Sequence, residues 1–254
     1  MNTIVNYLFE TKAMKVARED QPFRLTSGKL SPFYLNTHFL FGGEDQANAL
    51  LKIIDDQRVN PVRLIDNIFH ATWCQYTINK TYRNVIDQAV NFINENIVLY
   101  DVDYISGGER RDWFFSVLIA HLLGKPHIYL FKDLSTVLSW SFKDNLQISD
   151  FNYKDLQGAN VLHIADLITE ASSYTRFWIP AVKSLNANMT HSVSIVDRLQ
   201  GGNEKLEKEG IKTFSMAHID NEFFEMAYKL KKINGEQLEQ LIRFRANRDK
   251  AMMG

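Results

Sequence analysis

Residues 161–173, VLHIADLITEASS, combine an apolar strand with a hydroxyl-rich turn and the start of a helix. The apolar residues of the strand are Val161, Leu162 and Ile164. Asp166 follows near its end, and the turn then contributes three hydroxyls, those of Thr169, Ser172 and Ser173. In open α/β sheets, phosphorylated ligands bind where the carboxyl end of a strand leads into a helix N-terminus, because N–H groups are unpaired there. An ordinary strand–loop–helix junction with capping residues is the alternative interpretation.

The composition sets limits on the partners of the chain. Its 254 residues include 29 Lys and Arg against 30 Asp and Glu, a formal net charge of −1. This balance lacks the basic footprint of a nucleic-acid binder, so we expect no nucleic-acid partner. The N-terminus shows no signal-peptide pattern, and no stretch approaches the ~20 apolar residues of a membrane span. The sequence therefore predicts a cytoplasmic protein without a membrane partner.

Cysteine and histidine give no sign of a metal site. Cys74 is the only cysteine, which excludes an intrachain disulfide and a cysteine-based zinc site. Its aromatic neighbours predict a packed thiol. His163 lies inside an apolar strand and is interpreted as a core histidine. Three other histidines lack the spacing of metal ligands: His121, His127 and His191.

The first hundred residues read as mostly helical. Apolar residues at the spacing of one helix face predict a helix over 3–18. Residues 23–36, FRLTSGKLSPFYLN, carry two short extended pieces around Ser-Gly and Ser-Pro turns, which is typical of a hairpin. Further helices are predicted over 44–56 and 84–97, with more helix between them.

From residue 101 onward, strands and helices alternate. Strands are predicted over 102–105, 127–131, 161–165, 192–196 and 211–216. Helices are predicted over 113–124, from about 173, and over 203–209, 221–232 and 236–249. Residues 132–157 are polar without a clear period and predict a long loop that could cover a site. The alternation predicts one α/β domain over 1–254, with a mainly parallel sheet flanked by helices.

Four polar loops follow four of the predicted strands. They read SGGERR at 106–111, KDLST at 132–136, ADLITEASS at 165–173 and DRLQGG at 197–202. The carboxyl ends of parallel strands meet at one edge, so these loops should converge on one crevice. The cations they supply suit phosphate, pyrophosphate or carboxylate: Arg110, Arg111, Lys132 and Arg198. Gly107–Gly108 should let backbone N–H groups approach an anion.

The same segments resemble a known family. FRLTSGKLSPFYLN, ISGGERRDW, VLHIADLITEASS and VDRLQGG run in the order found in the orotate phosphoribosyltransferases, which have the type I phosphoribosyltransferase fold. The resemblance implies an N-terminal hairpin hood over the site. Residues of about 57–100 exceed the usual length between the corresponding elements, and we interpret them as a helical insertion within the domain.

The resemblance also implies an activity in pyrimidine nucleotide biosynthesis. The family transfers ribose 5-phosphate from phosphoribosyl pyrophosphate to orotate and releases pyrophosphate, with Mg²⁺ bound through the phosphoribosyl pyrophosphate. A homodimer is implied, in which a mobile loop of each subunit covers the other site. Asp166 would hold ribose hydroxyls, and Thr169, Ser172 and Ser173 would hold the 5-phosphate. Pyrophosphate would be bound by Arg111, with Arg110 beside it, and by Lys132. The orotate carboxylate would be bound by Arg198, and the pyrimidine ring would pack against Phe33 and Tyr34.

The sequence departs from the family where the chemistry would occur. The paired acids of the phosphate loop become Ala165–Asp166, and Ala171 stands where the family has glycine. Glu170 adds a negative charge that would repel phosphate unless it points away. Thr26 replaces a lysine, and the second lysine and the His-Gly pair expected after Lys132 are missing. Pro180 should kink or shorten the following helix.

These departures leave several hypotheses open. The first is an orotate-type phosphoribosyltransferase. The second is a catalytically impaired protein of the same fold that binds a nucleotide-like anion or a partner in a regulatory role. The third is a transferase for another acidic base. For single residues the alternatives are a solvated helix start at Arg110–Arg111, a surface position for Arg198, and ordinary hairpin core for Phe33–Tyr34.

Overall fold

A computed structural model describes residues 3–18, 20–24, 28, 30–142, 145–149 and 156–253. The N-terminal segment begins with helix α1 (Ile4–Glu10) and strand β1 (Met14–Val16). The predicted helix over 3–18 is therefore wrong beyond residue 10. Lys12 has a left-handed φ of 58°, which ends the helix and turns the chain into β1.

The hairpin predicted over 23–36 is present. Strands β2 (Phe23–Arg24) and β3 (Leu30–Ser31) pair antiparallel, and β4 (Phe33–Leu35) pairs antiparallel with β1. Thr26 and the other residues of 25–27, with residue 29, lie outside the described part of the chain.

Three long helices follow. They are α2 (Glu44–Gln57), α3 (Pro61–Ile78) and α4 (Lys80–Asn96). The helix predicted from residue 84 starts earlier because the side chain of Asn79 accepts a hydrogen bond from the N–H of Tyr82 and caps α4. The expectation of a packed thiol is wrong, since Cys74 is exposed on α3. That 57–100 is an insertion stays a prediction.

The segment after residue 101 contains more strand than expected. Strand β5 (Tyr104–Gly108), helix α5 (Trp113–Leu122) and strand β6 (His127–Leu130) agree with the sequence. The long loop predicted over 132–157 is wrong in its first half, where β7 (Thr136–Phe142) and β8 (Asn145–Ser149) form an antiparallel pair. Residues 143–144 and 150–155 lie outside the described residues.

The last hundred residues alternate as predicted. The strands are β9 (Asn160–Ile168), β10 (Asn188–Asp197) and β11 (Lys212–Ser215). The helices are α6 (Ile179–Ser184), α7 (Gly202–Lys208), α8 (Asn221–Lys229) and α9 (Gly235–Met253). A π-helical turn, Tyr174–Trp178, precedes α6. Pro180 explains it, because proline has no N–H and its ring crowds the preceding turn.

The central sheet has the strand order β11-β10-β9-β5-β6-β7-β8. The strands from β11 to β6 are parallel, and β7 and β8 extend the sheet antiparallel. Side chains of β9 alternate between two hydrophobic clusters: Leu162 and Ile164 pack into one, Val161 and Ala165 into the other. Both faces of the sheet are therefore covered, and the predicted fold, a mainly parallel sheet flanked by helices, is confirmed. Among the described residues, no helix combines the length and apolarity needed to span a bilayer.

Candidate active site

A cavity of about 380 Å³ lies at the carboxyl ends of β5, β6 and β9. The three strands are parallel neighbours, so the loops that follow them meet at the same edge of the sheet. Seven of the residues predicted from sequence line this cavity: Arg110, Arg111, Lys132, Asp166, Thr169, Ser172 and Ser173. The structure thus brings the cations, the hydroxyls and the acid together, whereas their roles toward a ligand stay predictions.

Two of the cations differ in how firmly the protein holds them. The Arg110 guanidinium pairs with Asp55 of α2 at 2.6 Å. Arg111 is exposed, and within the described residues its guanidinium has no hydrogen bond or ion pair. Arg111 is therefore more available than Arg110 to an anion in the cavity.

Glu109 connects two of the loops. Its carboxylate is buried, accepts the backbone N–H of Lys132 at 3.0 Å and lies 3.3 Å from the Arg58 guanidinium of α2. A carboxylate that accepts a backbone N–H and also contacts a cation holds both groups in place, because charge-assisted hydrogen bonds are strong. Glu109 therefore sets the distance between the loop that carries Arg111 and the loop that carries Lys132.

Two acids form the floor of the cavity. The N–H of Asp166 donates to Oδ1 of Asp112 at 3.0 Å, and the N–H of Gly108 donates to Oδ2 of Asp112 at 3.0 Å. Burial raises the pKa of Asp166 well above its usual range, and the nearby charge of Asp112 raises it further, while Arg111 opposes the shift. The floor therefore favours a state in which one proton is retained by the pair.

A histidine in the hairpin region faces the same cations. His38 is buried against Phe39 and Phe114, and burial, with Arg111 and Arg110 nearby, lowers its pKa to about 3. Its ring is neutral at physiological pH, because the two arginines and the lack of solvent both disfavour a further positive charge. His38, like Glu109 and Asp112, was not singled out from the sequence.

The loop over 169–173 departs from a glycine-rich phosphate cradle in a specific way. Ala171 is buried and holds a left-handed φ of 53°, a conformation that glycine adopts without strain. The Glu170 side chain is exposed and is not among the residues that line the cavity. In this part of the described chain, the hydroxyls of Thr169, Ser172 and Ser173 donate no hydrogen bond within the protein, so they are available to a ligand.

Ala171→Gly is expected to leave the free energy of unfolding unchanged or higher. Glycine removes a buried methyl group and makes the unfolded chain more flexible, and both effects lower the free energy of unfolding. They are offset because glycine also removes the strain of a left-handed alanine, which costs about 1–2 kcal/mol. Ala181→Gly is the matched control, since Ala181 is fully buried within helix α6. There glycine should destabilise by about 1 kcal/mol or more. Urea denaturation of both variants measures the difference, and equal losses would contradict strain at Ala171.

Gly107 and Gly108 lie close to side chains of the protein itself. A Cβ on Gly107 would lie 2.1 Å from Oγ of Ser116, and one on Gly108 would lie 2.2 Å from the Trp178 ring. The N–H of Gly108 is already used by Asp112. The expectation that this pair opens the backbone to an anion is therefore wrong for Gly108. Both glycines allow side chains of the protein to pack closely.

The residues predicted to hold the base lie beside the cavity. Arg198 follows β10, its N–H donates to the carbonyl of Ile168 at 3.0 Å, and its guanidinium lies 5.0 Å from the centre of the Phe33 ring. Arg198 is not among the cavity-lining residues, although Ile168 is. Phe33 is buried against Phe224 and Phe244, as the hairpin-core alternative predicts.

Tyr34 faces away from Phe33. It is 38 % exposed, against 2 % for Phe33, because successive side chains of a strand point to opposite sides. Tyr34 lies near Phe23 of the hairpin instead. The structure therefore brings Phe33 and Arg198 together and leaves Tyr34 on another surface.

Comparisons with known proteins agree with this architecture. No family model matches the chain. An orotate phosphoribosyltransferase of Rhizobium meliloti (strain 1021) is 25% identical over 192 residues, which are 76% of this chain and 63% of that relative. The chain thus spans less than two thirds of the length of this curated relative.

Solved structures share the fold at low identity. The orotate phosphoribosyltransferase of Aeropyrum pernix aligns with a TM-score of 0.56 and 17% identity over 88% of this chain and 98% of its own. That of Francisella tularensis aligns with a TM-score of 0.55 and 14% identity over 96% and 97%. Together these structures show that the chain has the type I phosphoribosyltransferase fold.

Proposed function

We propose that the chain is a phosphoribosyltransferase that transfers ribose 5-phosphate from phosphoribosyl pyrophosphate to orotate and releases pyrophosphate. The observation that carries the proposal is the single cavity in which three cations, three hydroxyls and a buried acid pair meet. A sugar that bears phosphate groups and hydroxyls matches all three kinds of side chain. The similarity to a curated orotate phosphoribosyltransferase supports orotate as the acceptor.

The proposed reaction places its largest demand on the cationic wall. As the bond between the ribose carbon and pyrophosphate breaks, negative charge grows on the leaving group and the ribose becomes electron-deficient. Arg111, assisted by Arg110 and Lys132, would stabilise that charge, and preorganised groups of this kind often contribute more to catalysis than any other effect. The hydroxyls of the 169–173 loop would hold the 5-phosphate, and Asp166 the ribose hydroxyls. Held in this way, donor and acceptor would react as neighbours.

Mg²⁺ would enter with phosphoribosyl pyrophosphate. The donors that line the cavity are carboxylate and hydroxyl oxygens, which suit a hard cation that also binds phosphates. No group of three or more potential metal-ligating side chains occurs among the residues that the structure describes, so the substrate would supply most of the ligands. Asp166 would be the protein carboxylate that helps to hold it. When bound, Mg²⁺ would neutralise charge on the pyrophosphate.

The base would bind beside Phe33. An orotate carboxylate would meet the Arg198 guanidinium, which now stacks on that ring. The pairing suits a flat, acidic pyrimidine, because arginine binds carboxylates in a two-pronged geometry and stacks on aromatic faces. A homodimer belongs to the same proposal, and light scattering of the purified protein would test it.

A non-catalytic binding protein is the second candidate. It is favoured by the strained Ala171 in the phosphate loop and by the loss of the second lysine and the histidine after Lys132. These changes weaken leaving-group stabilisation and leave the fold intact. Such a protein would bind phosphoribosyl pyrophosphate in calorimetry without turning it over.

The deciding experiment measures orotate consumption with phosphoribosyl pyrophosphate and Mg²⁺. We expect turnover above a protein-free blank, and an increase of about 30-fold or more in the KM for orotate with Arg198→Ala, because truncating one partner of a charge pair costs about 2 kcal/mol or more. Arg63→Ala, at an exposed arginine of α3, is the matched control and should behave as wild type. Folded wild-type protein without turnover would reject the proposal, and binding without turnover would select the second candidate.

A further inference from the structure

We propose that Asp112 supplies the second carboxylate of the hydroxyl-binding site, so that Asp112 and Asp166 together recognise the hydroxyls of the sugar phosphate. This inference rests on the proposed function and assigns a residue to it that the sequence alone does not suggest. The two carboxylates come from different segments: Asp112 follows β5, and Asp166 lies within β9. The pair would restore what the chain lacks at Ala165.

Ala165 offers no polar group to the cavity. Ala165 lines the cavity directly before Asp166, and only its methyl group stands where the family has an acid. Asp112 lines the same cavity and is 8 % exposed. The carboxylate of Asp112 accepts the N–H of Asp166, so it lies beside the backbone of the residue that follows Ala165. A negative group is thus present at this wall, although it arrives from another part of the chain.

Asp112 is held rigidly enough to serve this purpose. Two backbone N–H groups, those of Gly108 and Asp166, donate to its two oxygens, and Nε2 of His163 lies 3.5 Å from Oδ2. Each carboxylate oxygen can accept a further hydrogen bond, so these contacts do not exhaust the group. A rotamer locked in this way loses little freedom when a ligand binds.

Asp166 supplies an independent indication of a missing hydrogen-bond donor. It is 7 % exposed, lines the cavity, and its Oδ2 atom has no hydrogen-bond partner among the described residues. Buried carboxylate oxygens are rarely left without a donor, because desolvation without compensation is costly. A donor hydroxyl from a ligand would satisfy this oxygen, and in its absence a proton shared with Asp112 would do so.

The chemistry of the pair selects hydroxyls over anions. Two neighbouring acids repel phosphate but accept hydrogen bonds from hydroxyls, and a protonated member of the pair can also donate one. The burial and like charge that raise the pKa of Asp166 favour such a protonated member. The cations for the anionic groups, Arg110, Arg111 and Lys132, are contributed by other positions of the lining. The cavity therefore separates sites for anionic groups from a site for hydroxyls.

The test compares two probes on the same proteins by calorimetry: ribose 5-phosphate, which carries the hydroxyls, and inorganic pyrophosphate, which does not. Asp112→Asn should weaken ribose 5-phosphate binding by about tenfold or more, on the scale of a hydrogen bond to a charged group. Pyrophosphate binding should be unchanged or slightly tighter. Equal binding of ribose 5-phosphate by the variant and wild type would overturn the inference.

A ligand series separates contact from a structural role. In wild type, 2-deoxy- or 3-deoxyribose 5-phosphate should bind more weakly than ribose 5-phosphate, and with Asp112→Asn at least one of these differences should shrink to less than about twofold. A merely structural Asp112 would weaken all three ligands equally, which would overturn the proposal. Asp112→Asn/Ala165→Asp places the carboxylate at the family position and should recover part of the lost affinity.

A measurement on wild type covers the case in which Asp112→Asn does not fold. Infrared difference spectra should show a shift in the carboxyl bands when ribose 5-phosphate is added and none with pyrophosphate, and Asp166→Asn should remove part of the shift. Unchanged carboxyl bands would overturn the inference. Wild-type protein that binds neither ribose 5-phosphate nor phosphoribosyl pyrophosphate would overturn the proposed function as well, whereas binding that is insensitive to Asp112 would overturn this inference alone.

Discussion

Arg111→Ala is expected to lower kcat/KM for phosphoribosyl pyrophosphate by about 100-fold or more. Removing one group that stabilises developing negative charge typically costs about 10²–10³ in rate. Arg111 is a better candidate for this role than Arg110, because it lines the cavity, is exposed, and has no ion pair among the described residues, whereas Arg110 pairs with Asp55. Its charge also shifts the pKa of both His38 and Asp166, so it lies near the buried histidine and near the acid pair.

Two control variants change the same position or the neighbouring one. Arg111→Lys keeps the charge and should retain more activity than the alanine variant, although it loses the two-pronged geometry. Arg110→Ala should have a smaller effect, of about tenfold, since Asp55 already holds that guanidinium. Thermal unfolding should be unchanged for Arg111→Ala. Steady-state kinetics within about threefold of wild type would exclude Arg111 from the machinery.

Gly108→Ala is expected to destabilise the protein by about 2–3 kcal/mol, the usual scale of overpacking in a dense interior. Its new Cβ would lie 2.2 Å from the Trp178 ring, and Trp178 is buried and cannot withdraw without moving the helix that carries it. The helix includes the π-helical turn after the phosphate loop. Urea denaturation should therefore show a lower midpoint, and pyrophosphate binding should weaken in parallel.

Gly235→Ala provides the matched control for Gly108→Ala. Nothing lies within 4 Å of a Cβ at Gly235, which begins α9, so its free energy of unfolding should stay within about 0.5 kcal/mol of wild type. Combining Gly108→Ala with Trp178→Phe should recover part of the loss, because the two sites share one contact. A stable Gly108→Ala protein would show that the packing described for Trp178 is wrong.

The sequence was most informative where periodicity and chain order coincide. The strand at Val161, its acid and its hydroxyls were all predicted, since an apolar run followed by capping residues is a local signal. The parallel sheet alone predicted that the loops converge, and three of the four loops line the cavity, whereas the loop over 197–202 does not. The helix after residue 10 and the loop over 132–157 were not predicted correctly. In the N-terminal segment, the left-handed Lys12 ends the helix although the apolar pattern continues. In the segment over 132–157, TVLSWSF has the alternation of a strand, with Val137 and Ser139 both buried.

The acid pair and the close packing at the two glycines could not be predicted from the sequence, for a different reason. Asp112 and Asp166 are 54 positions apart, and nothing in either segment shows that a carboxylate of one accepts the N–H of the other. Gly107–Gly108 had the composition of an anion loop, and only the positions of Ser116 and Trp178 reveal close packing. Interactions between distant segments depend on tertiary structure, whereas local patterns report only the elements themselves.

Glu109 links the turn at Lys132 to the end of helix α2. Its carboxylate joins the backbone of Lys132 to Arg58 at the end of α2. A displacement of the turn at Lys132 breaks one of these contacts or draws the helix end with it. While both contacts hold, the position of Lys132 at the cavity therefore depends on the position of the end of α2.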